Sequence, residues 1–319
     1  MELTDPEESS DSATFAIHSM HLAICTAAFA FNSFLLYLLN KCSAFHTHMK
    51  IIMINQTMAV MAADVYLLLR STLALFQSYG AKGTVPVDEC AFSTSVPDSL
   101  CMLFIWFPFL LVVERFYASQ NYQDYENNEA PIIFKLLCGV MWIPMGAEII
   151  AFCFSLTFPS EDLHGCQYTR QSHMQRNAWF VIIAVFSAIF SLFFKVLELI
   201  NKRIENHSVR NDYVFSCRYQ IRENVRTCRF AFSLLLLFFV FFFIFFLFDR
   251  NLESQKEISA ARREYLFLIF PMFALIYSLH FLTANSSLFE TAKRALQSFH
   301  HQEHGKCPPC LYSSFVLHA

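Results

Sequence analysis

Charged residues and glycine are both scarce in this chain of 319 residues. Asp, Glu, Lys and Arg together make up 15% of the sequence, whereas a soluble domain carries about a quarter. The deficit argues against an ordinary soluble domain and suits solvation by lipid, where each exposed charge is costly. Six glycines are too few for a glycine-rich scaffold. The net charge of −3 offers no excess of basic residues, so we expect no nucleic-acid partner.

Enzyme motifs are also missing. The sequence contains no phosphate-binding loop and no His-Glu-x-x-His motif. Its intramembrane ionisable candidates, Asp64, Glu148 and His280, are scattered in depth without metal-ligand spacing. We therefore expect no enzyme, no cofactor and no metal site. A transporter or a channel-like seven-helix protein remains the alternative, although a transporter would favour internal repeats and broken helices, and we find no convincing repeat.

Long apolar stretches are what the chain has instead. A bilayer core of about 30 Å needs about 20 apolar residues in a helix. Seven stretches of this length are present, at roughly 17–39, 51–75, 97–117, 132–156, 178–200, 228–248 and 265–288. The pattern predicts an all-α membrane protein with a seven-transmembrane helix bundle over 17–288. Residues 1–16 would form a tail, and 289–319 an amphipathic helix lying on the membrane surface, followed by a second tail.

The basic residues predict the orientation of this bundle. Of the 23 Lys and Arg residues, fifteen fall on one set of connecting segments and seven on the other, with Arg70 inside a span. Positive charge favours the cytoplasmic side. We therefore expect the N-terminus outside and the C-terminus inside. The first 16 residues contain no Lys or Arg, so the first span is expected to act as an uncleaved anchor rather than as a signal peptide.

Two cysteines fall on predicted outer loops. Cys90 precedes the third span and Cys166 lies between the fourth and fifth spans. Because the outer side is oxidising, a disulfide between them is the expected state. Two free loop thiols are the alternative.

The inner end of the third span reads Glu114-Arg115-Phe116, and Cys90 precedes Arg115 by 25 residues. An acid–Arg–aromatic triplet at this helix end, at this separation from an outer cysteine, resembles G-protein-coupled receptors. Arg115 keeps its charge at any relevant pH and offers a planar fork of donors. We expect it to pair with Glu114 in a closed state and to face a partner when the sixth helix moves away. An interfacial Arg beside an acid is the plainer alternative.

A second motif lies just before the sixth span, where Tyr219-Gln-x-x-Glu223-Asn224 is followed by Arg226. Together with Glu114-Arg115-x-x-Ala-Ser, this element is similar to the nematode serpentine chemoreceptors of the Sra superfamily, comprising the Sra, Srab, Srb and Sre groups. The Srab group is the favoured subgroup. The resemblance implies a plasma-membrane receptor of sensory neurons that binds a small or pheromone-like chemical and signals to a heterotrimeric G protein.

Residues for coupling to that partner follow from the two motifs. They are Glu114, Arg115, Phe116, Tyr219, Glu223, Asn224 and Arg226, and Glu223 is predicted to pair with Arg115 in the resting state. Arg218, Arg222, Arg226 and Arg229 are spaced to form one basic stripe. The stripe suits either anchoring to anionic lipid or contact with a G protein.

Polar residues inside the spans suggest a second group. The resemblance matches Asn32, Asp64 and Asn285 to a polar network between helices one, two and seven, which would bind water or sodium. A static hydrogen-bonded network is the alternative. Glu148 and Tyr277 are weak candidates for ligand contact in the outer half of the bundle.

The predicted orientation is open to a direct test. Tags at the N-terminus, within 200–215 and at the C-terminus should be found outside, inside and inside, respectively. Protease or antibody access in intact cells measures this. An inside N-terminus would place Cys90 and Cys166 in the reducing cytosol and overturn the receptor interpretation.

Overall fold

The structure is a computed structural model that describes residues 6–42, 45–80, 87–121, 131–147, 149–150, 170–210, 215–253 and 268–303. Within these ranges the ordered elements are helices and no strand occurs. They are α1 (Pro6–Lys41), α2 (Thr47–Gly80), α3 (Val87–Gln120), α4 (Pro131–Met141), α5 (Arg170–Arg210), α6 (Phe215–Glu253), α7 (Ile269–Ala284) and α8 (Ser286–Glu303). Helix α1 begins at Pro6, within the segment expected to be a tail.

Five of the described helices are long and apolar enough to cross a membrane. Their spanning parts are Phe15–Lys41, Thr47–Leu73, Ser99–Gln120, Ala178–His207 and Arg218–Phe248. The fourth apolar helix is shorter, Ile132–Ala147. The predicted all-helical membrane bundle is confirmed, with its fourth and seventh spans shorter among the described residues than the sequence indicates.

The last apolar helix ends in a sharp bend. Ile269–Ala284 and Ser287–Ala295 meet at 103°, and Asn285 between them has an extended backbone conformation. The Asn285 side chain accepts a hydrogen bond from the backbone N–H of Leu288 at 3.1 Å. Asparagine in this position stabilises the start of a helix, so Asn285 ends α7 and caps α8.

Helix α3 occupies the centre of the bundle. It contacts α2, α4, α5 and α6, while α1 packs along α2 and α7, and α5 packs along α6. Polar side chains also join several of the helices. The bonds are His21–Ser71 (α1–α2, 3.1 Å), Asn32–Ser278 (α1–α7, 3.0 Å), Asn55–Trp142 (α2 to the residue that follows α4, 3.0 Å), Thr57–Tyr277 (α2–α7, 3.2 Å) and Ser233–His280 (α6–α7, 3.1 Å).

Such bonds matter because the hydrophobic effect gives little association between helices in lipid, where close packing and interhelical hydrogen bonds take over. His280 takes part in one of these interhelical bonds, through its contact with Ser233.

Aromatic rings fill the space between α3, α5, α6 and α7. Phe238 packs edge-on against Phe273, with ring centroids 4.6 Å apart, and Phe104 lies 6.3 Å from Phe238. Phe180 reaches Phe242 at 6.1 Å. These rings are buried, so much of the phenylalanine content of α6 packs the interior while the rest faces outward.

Replacing Phe238 by Ala should lower thermal stability. Phe238 is fully buried, and removing a buried ring costs about 3 kcal/mol through the cavity left behind. The matched control is Phe243→Ala, because Phe243 lies on the same helix and is 43% exposed. Thermal unfolding of the two purified variants would measure the difference, and an equal loss in both would contradict this packing.

Candidate functional site

The Glu114–Arg115 pair lies near the end of α3, at the end of the bundle where α8 lies. Both side chains are buried, with Arg115 only 1% exposed. The guanidinium donates through Nε to Glu114 Oε2 and through Nη2 to Glu114 Oε1. This two-point ion pair keeps the permanent charge of arginine out of water with a compensating carboxylate.

Helix α6 holds the same guanidinium through Asn224. Arg115 Nη1 donates to Asn224 Oδ1 at 3.1 Å. The amide nitrogen of Asn224 in turn donates to the backbone carbonyl of Ala118 at 3.2 Å. One amide therefore satisfies both a side chain and a backbone group of α3, and it fixes the position of α6 against α3.

Helix α5 joins this arrangement one turn further along α3. Asn201 Nδ2 donates to Ser119 Oγ at 2.9 Å, and Ser119 Oγ donates to the carbonyl of Arg115 at 2.8 Å. We call Glu114, Arg115, Ser119, Asn201 and Asn224 the Arg115 network. It connects three helices through residues that are all buried.

Two histidines at the start of α2 border the network. The ligand atoms of His46, His48 and Glu114 all lie within 4.8 Å of one another. The ring of His48 stacks on Phe134 of α4, with centroids 5.4 Å apart. Burial lowers the pKa of His46 to about 4, and the nearby His48 and Arg115 act in the same direction against the opposing effect of Glu114. His46 is therefore neutral near pH 7.

A cavity of about 1410 Å³ opens beside the network, between the ends of α1, α5, α6, α7 and α8. Basic residues outnumber acidic residues in the wall of this cavity, and the acidic ones are Glu223 and Glu290. The basic members are Lys41, Lys195, Arg222, Arg226, Arg229 and Arg294. Tyr219 also lines the cavity, whereas Arg115 does not.

The predicted coupling residues thus divide into two groups. Glu114, Arg115 and Asn224 are buried together, while Tyr219, Glu223 and Arg226 line the cavity. Phe116 belongs to neither group, because it is 47% exposed and its ring neighbours Phe193 of α5. The predicted Arg115–Glu223 pair stays a prediction.

The predicted basic stripe is partly neutralised by α5. Arg222 pairs with Glu205 at 3.3 Å and Arg229 with Glu198 at 3.2 Å. Glu198 also pairs with Lys195 and Lys202 of its own helix. These ion pairs join α5 to α6 over the same stretch as the Arg115 network.

The three residues of the predicted intramembrane network are not hydrogen-bonded to one another. Asn32 donates to the carbonyl of Ala274 at 3.3 Å and accepts from Ser278, while Asn285 caps α8. Asp64 is fully buried, and neither carboxylate oxygen has a hydrogen-bond partner in the described part of the chain.

The remaining candidates from the sequence are Tyr277, Glu148, Cys90 and Cys166. Tyr277 is buried, and its hydroxyl bonds to Thr57, so that bond gives it a role between α2 and α7. Glu148 and Cys166 lie outside the described residues, as does the side chain of Cys90. The disulfide therefore stays a prediction.

Sequence reasoning missed Asn201 and the two histidines, and it used Ser119 only as part of the motif that carries the family resemblance. Asn201 is a single polar residue on a helix, which resembles any polar residue near a helix end. The alternation His46-x-His48 beside a predicted helix start was the one signal available. Its relation to Glu114 depends on two segments far apart in the chain.

An apolar helix bundle whose central third helix ends in a buried acid–arginine pair, held against the sixth helix, has the arrangement of a G-protein-coupled receptor. The comparison with known families agrees. A model of the family described as "Sre G protein-coupled chemoreceptor" matches residues 88–304, from the start of α3 to the end of α8. A search of curated proteins gave no match.

Because the match covers more than half of the chain, the chain belongs to the Sre G protein-coupled chemoreceptor family. It is a chemosensory G-protein-coupled receptor and a multi-pass membrane protein, in a family of receptors rather than of enzymes. Its partners are accordingly a ligand and a G protein. Membership agrees with the Sra-superfamily resemblance, whereas the preference for the Srab group is not confirmed.

Replacing Asn224 by Ala should destabilise the receptor. The change removes an acceptor from Arg115 and a donor from Ala118, and losing partners for buried polar groups costs about 2 kcal/mol. Asn40→Ala is the matched control, since Asn40 is exposed and its side chain donates only to the Leu36 carbonyl of its own helix. Thermal unfolding in detergent measures the effect. A loss no larger than that of the control would show that the Asn224 contacts contribute little.

Proposed function

We propose that the Arg115 network is the activation switch of this receptor. The observation that carries the proposal is the position of Arg115, which is 1% exposed and bonded both to Glu114 and to Asn224 of α6. In this state the guanidinium is inaccessible to a partner. Movement of α6 away from α3 breaks the Asn224 contacts and opens the end of α3.

The energy of the switch is of a size that ligand binding can supply. A hydrogen bond to a charged group contributes about 1.5–3 kcal/mol, so the contacts across α3 and α6 contribute a modest free-energy difference between the two states. An agonist changes the balance only by binding the open state better. Moving the population from 1:99 to 99:1 takes about 5.5 kcal/mol of differential affinity.

The orientation supported by the basic residues places this end of the bundle in the cytosol. There the cavity lined by Tyr219, Arg222 and Arg226 adjoins the opening and offers a basic wall to a G protein. The resting pair of Arg115 with Glu223 belongs to the same proposal. The N-terminus lies outside, and Cys90 and Cys166 form a disulfide there.

The finer aspects of the proposed function take their support from the family resemblance. The ligand is a small external or pheromone-like chemical that binds in the outer half of the bundle, where Glu148 is the candidate polar contact. The receptor acts in the plasma membrane of sensory neurons. Asp64, buried without a hydrogen-bond partner among the described residues, is the group that water or sodium would satisfy.

Arg115→Ala should abolish ligand-evoked signalling, with a loss of at least about tenfold in response, since this charge faces the G protein once α6 moves.

Asn224→Ala should instead raise ligand-independent signalling, because it frees α6 from α3. G-protein activation at equal surface expression measures both. Arg203→Ala is the control, as Arg203 is an exposed basic residue on α5 outside the network. An unchanged response in Arg115→Ala would refute the switch.

A further inference from the structure

The contact between the α1–α2 junction and the end of α3 brings together three side chains that can each bind a metal ion. His46 and His48 contribute imidazole nitrogens, and Glu114 contributes a carboxylate, with all the ligand atoms within 4.8 Å of one another. His48 and Glu114 are buried and His46 is half-buried. The residues come from two separate segments, so the fold rather than a local motif assembles them.

Two imidazoles and a carboxylate form a set that Zn²⁺ and related ions bind, with bonds of about 2.0–2.2 Å. In a tetrahedral site such bonds place ligand atoms about 3.3 Å apart. The observed separations reach at most 4.8 Å, so the side chains would have to approach one another by up to about 1.5 Å to bind an ion. His48 is already oriented by its stacking on Phe134. Neutral imidazole is the form that binds metal.

Glu114 is also the carboxylate that pairs with Arg115. A divalent cation on Glu114 and the guanidinium of Arg115 therefore compete for the same oxygens. Binding of the ion and release of Arg115 are thermodynamically linked, so each favours the other by the same factor.

We propose that His46, His48 and Glu114 form a binding site for a divalent transition-metal ion of the Zn²⁺ class, and that occupation of this site releases Arg115 from Glu114. The first half stands on the geometry of the three residues alone. The second half rests on the proposed role of Arg115 as the activation switch. A metal ion would then act at the α8 end as a second input, separate from the chemical sensed by the receptor.

The experiment uses the full-length receptor purified in detergent. Cys307→Ser and Cys310→Ser are present in every variant, so that the Cys-Pro-Pro-Cys segment of the tail contributes no metal ligand. Co²⁺ is titrated in, its visible absorption reports the number and geometry of the ligands, and Zn²⁺ is then used to displace it. The test variant carries His46→Asn and His48→Asn. The matched control is His207→Asn, because His207 is an exposed histidine on α5.

We expect saturable binding of one ion in the parent and in the His207 control, and a loss of affinity of roughly 100-fold or more in the double variant. Loss of a residue that only orients a ligand lowers affinity about 10–100-fold, and loss of the ligands themselves should cost more. Equal binding in the double variant and the control would overturn the site. Absence of a saturable Co²⁺ spectrum in the parent would do the same, whether or not the double variant folds.

The coupling is measured separately, by nucleotide exchange on a purified G protein with the receptor in lipid vesicles. Zn²⁺ should raise ligand-independent exchange in the parent and in the His207 control but not in the double variant. Binding of the ion without any change in exchange would refute the release of Arg115. That result would leave the activation switch standing, because Arg115→Ala tests the switch without any metal.

Discussion

A single buried cation, the guanidinium of Arg115, constrains the end of the bundle around it. Arginine stays charged under all relevant conditions, and an isolated charge away from water is very unfavourable. Burial at 1% exposure therefore requires Glu114 as the counterion and Asn224 as a further acceptor. Because Asn224 lies on α6, the solvation of a charge on α3 fixes the position of a second helix. Asn201 and Ser119 extend the same constraint to α5.

This dependence is what would let a stable bundle also act as the switch we propose. Much of the packing between α3, α5, α6 and α7 consists of aromatic rings such as Phe238 and Phe273, which hold the helices together through dispersion and shape. That packing does not depend on ionisation or on a partner. The Arg115 network does, because each of its polar groups has alternatives in water, in a protein partner or in a bound ion. Changes at one end of the bundle can therefore alter the position of α6 without unfolding the core.

The same carboxylate connects two chemistries at that end. Glu114 neutralises Arg115 on one side and faces His46 and His48 on the other. A buried carboxylate has a limited number of lone pairs, so what one neighbour gains the other loses. The neighbouring cavity, with its excess of Lys and Arg, adds a positive field that favours anionic partners. In both proposals, burial of charge, rather than any one contact, is what would make this region sensitive to a partner or an ion.

Much of the architecture was determined by the sequence alone. Apolar stretches such as 178–200 and 228–248 require helices in lipid, because only internal hydrogen bonds satisfy a backbone there, and α5 and α6 were accordingly predicted. The acid–Arg–aromatic triplet and the Tyr-Gln-x-x-Glu-Asn element also indicated the receptor class and the importance of Asn224. The local sequence suffices for these conclusions because each stretch or motif can be recognised within its own segment of the chain.

Tertiary structure decided which polar groups meet. It turned Glu114 and Arg115 inward and Phe116 outward, placed Asn224 against the guanidinium, and used Asn285 as the cap of α8. It also brought His46 and His48 to Glu114 across more than sixty positions of sequence. No helical period encodes such meetings, because the rotation and tilt of each helix are set by packing against its neighbours. The sequence determines that these helices span a membrane, and their mutual packing determines what lies between them.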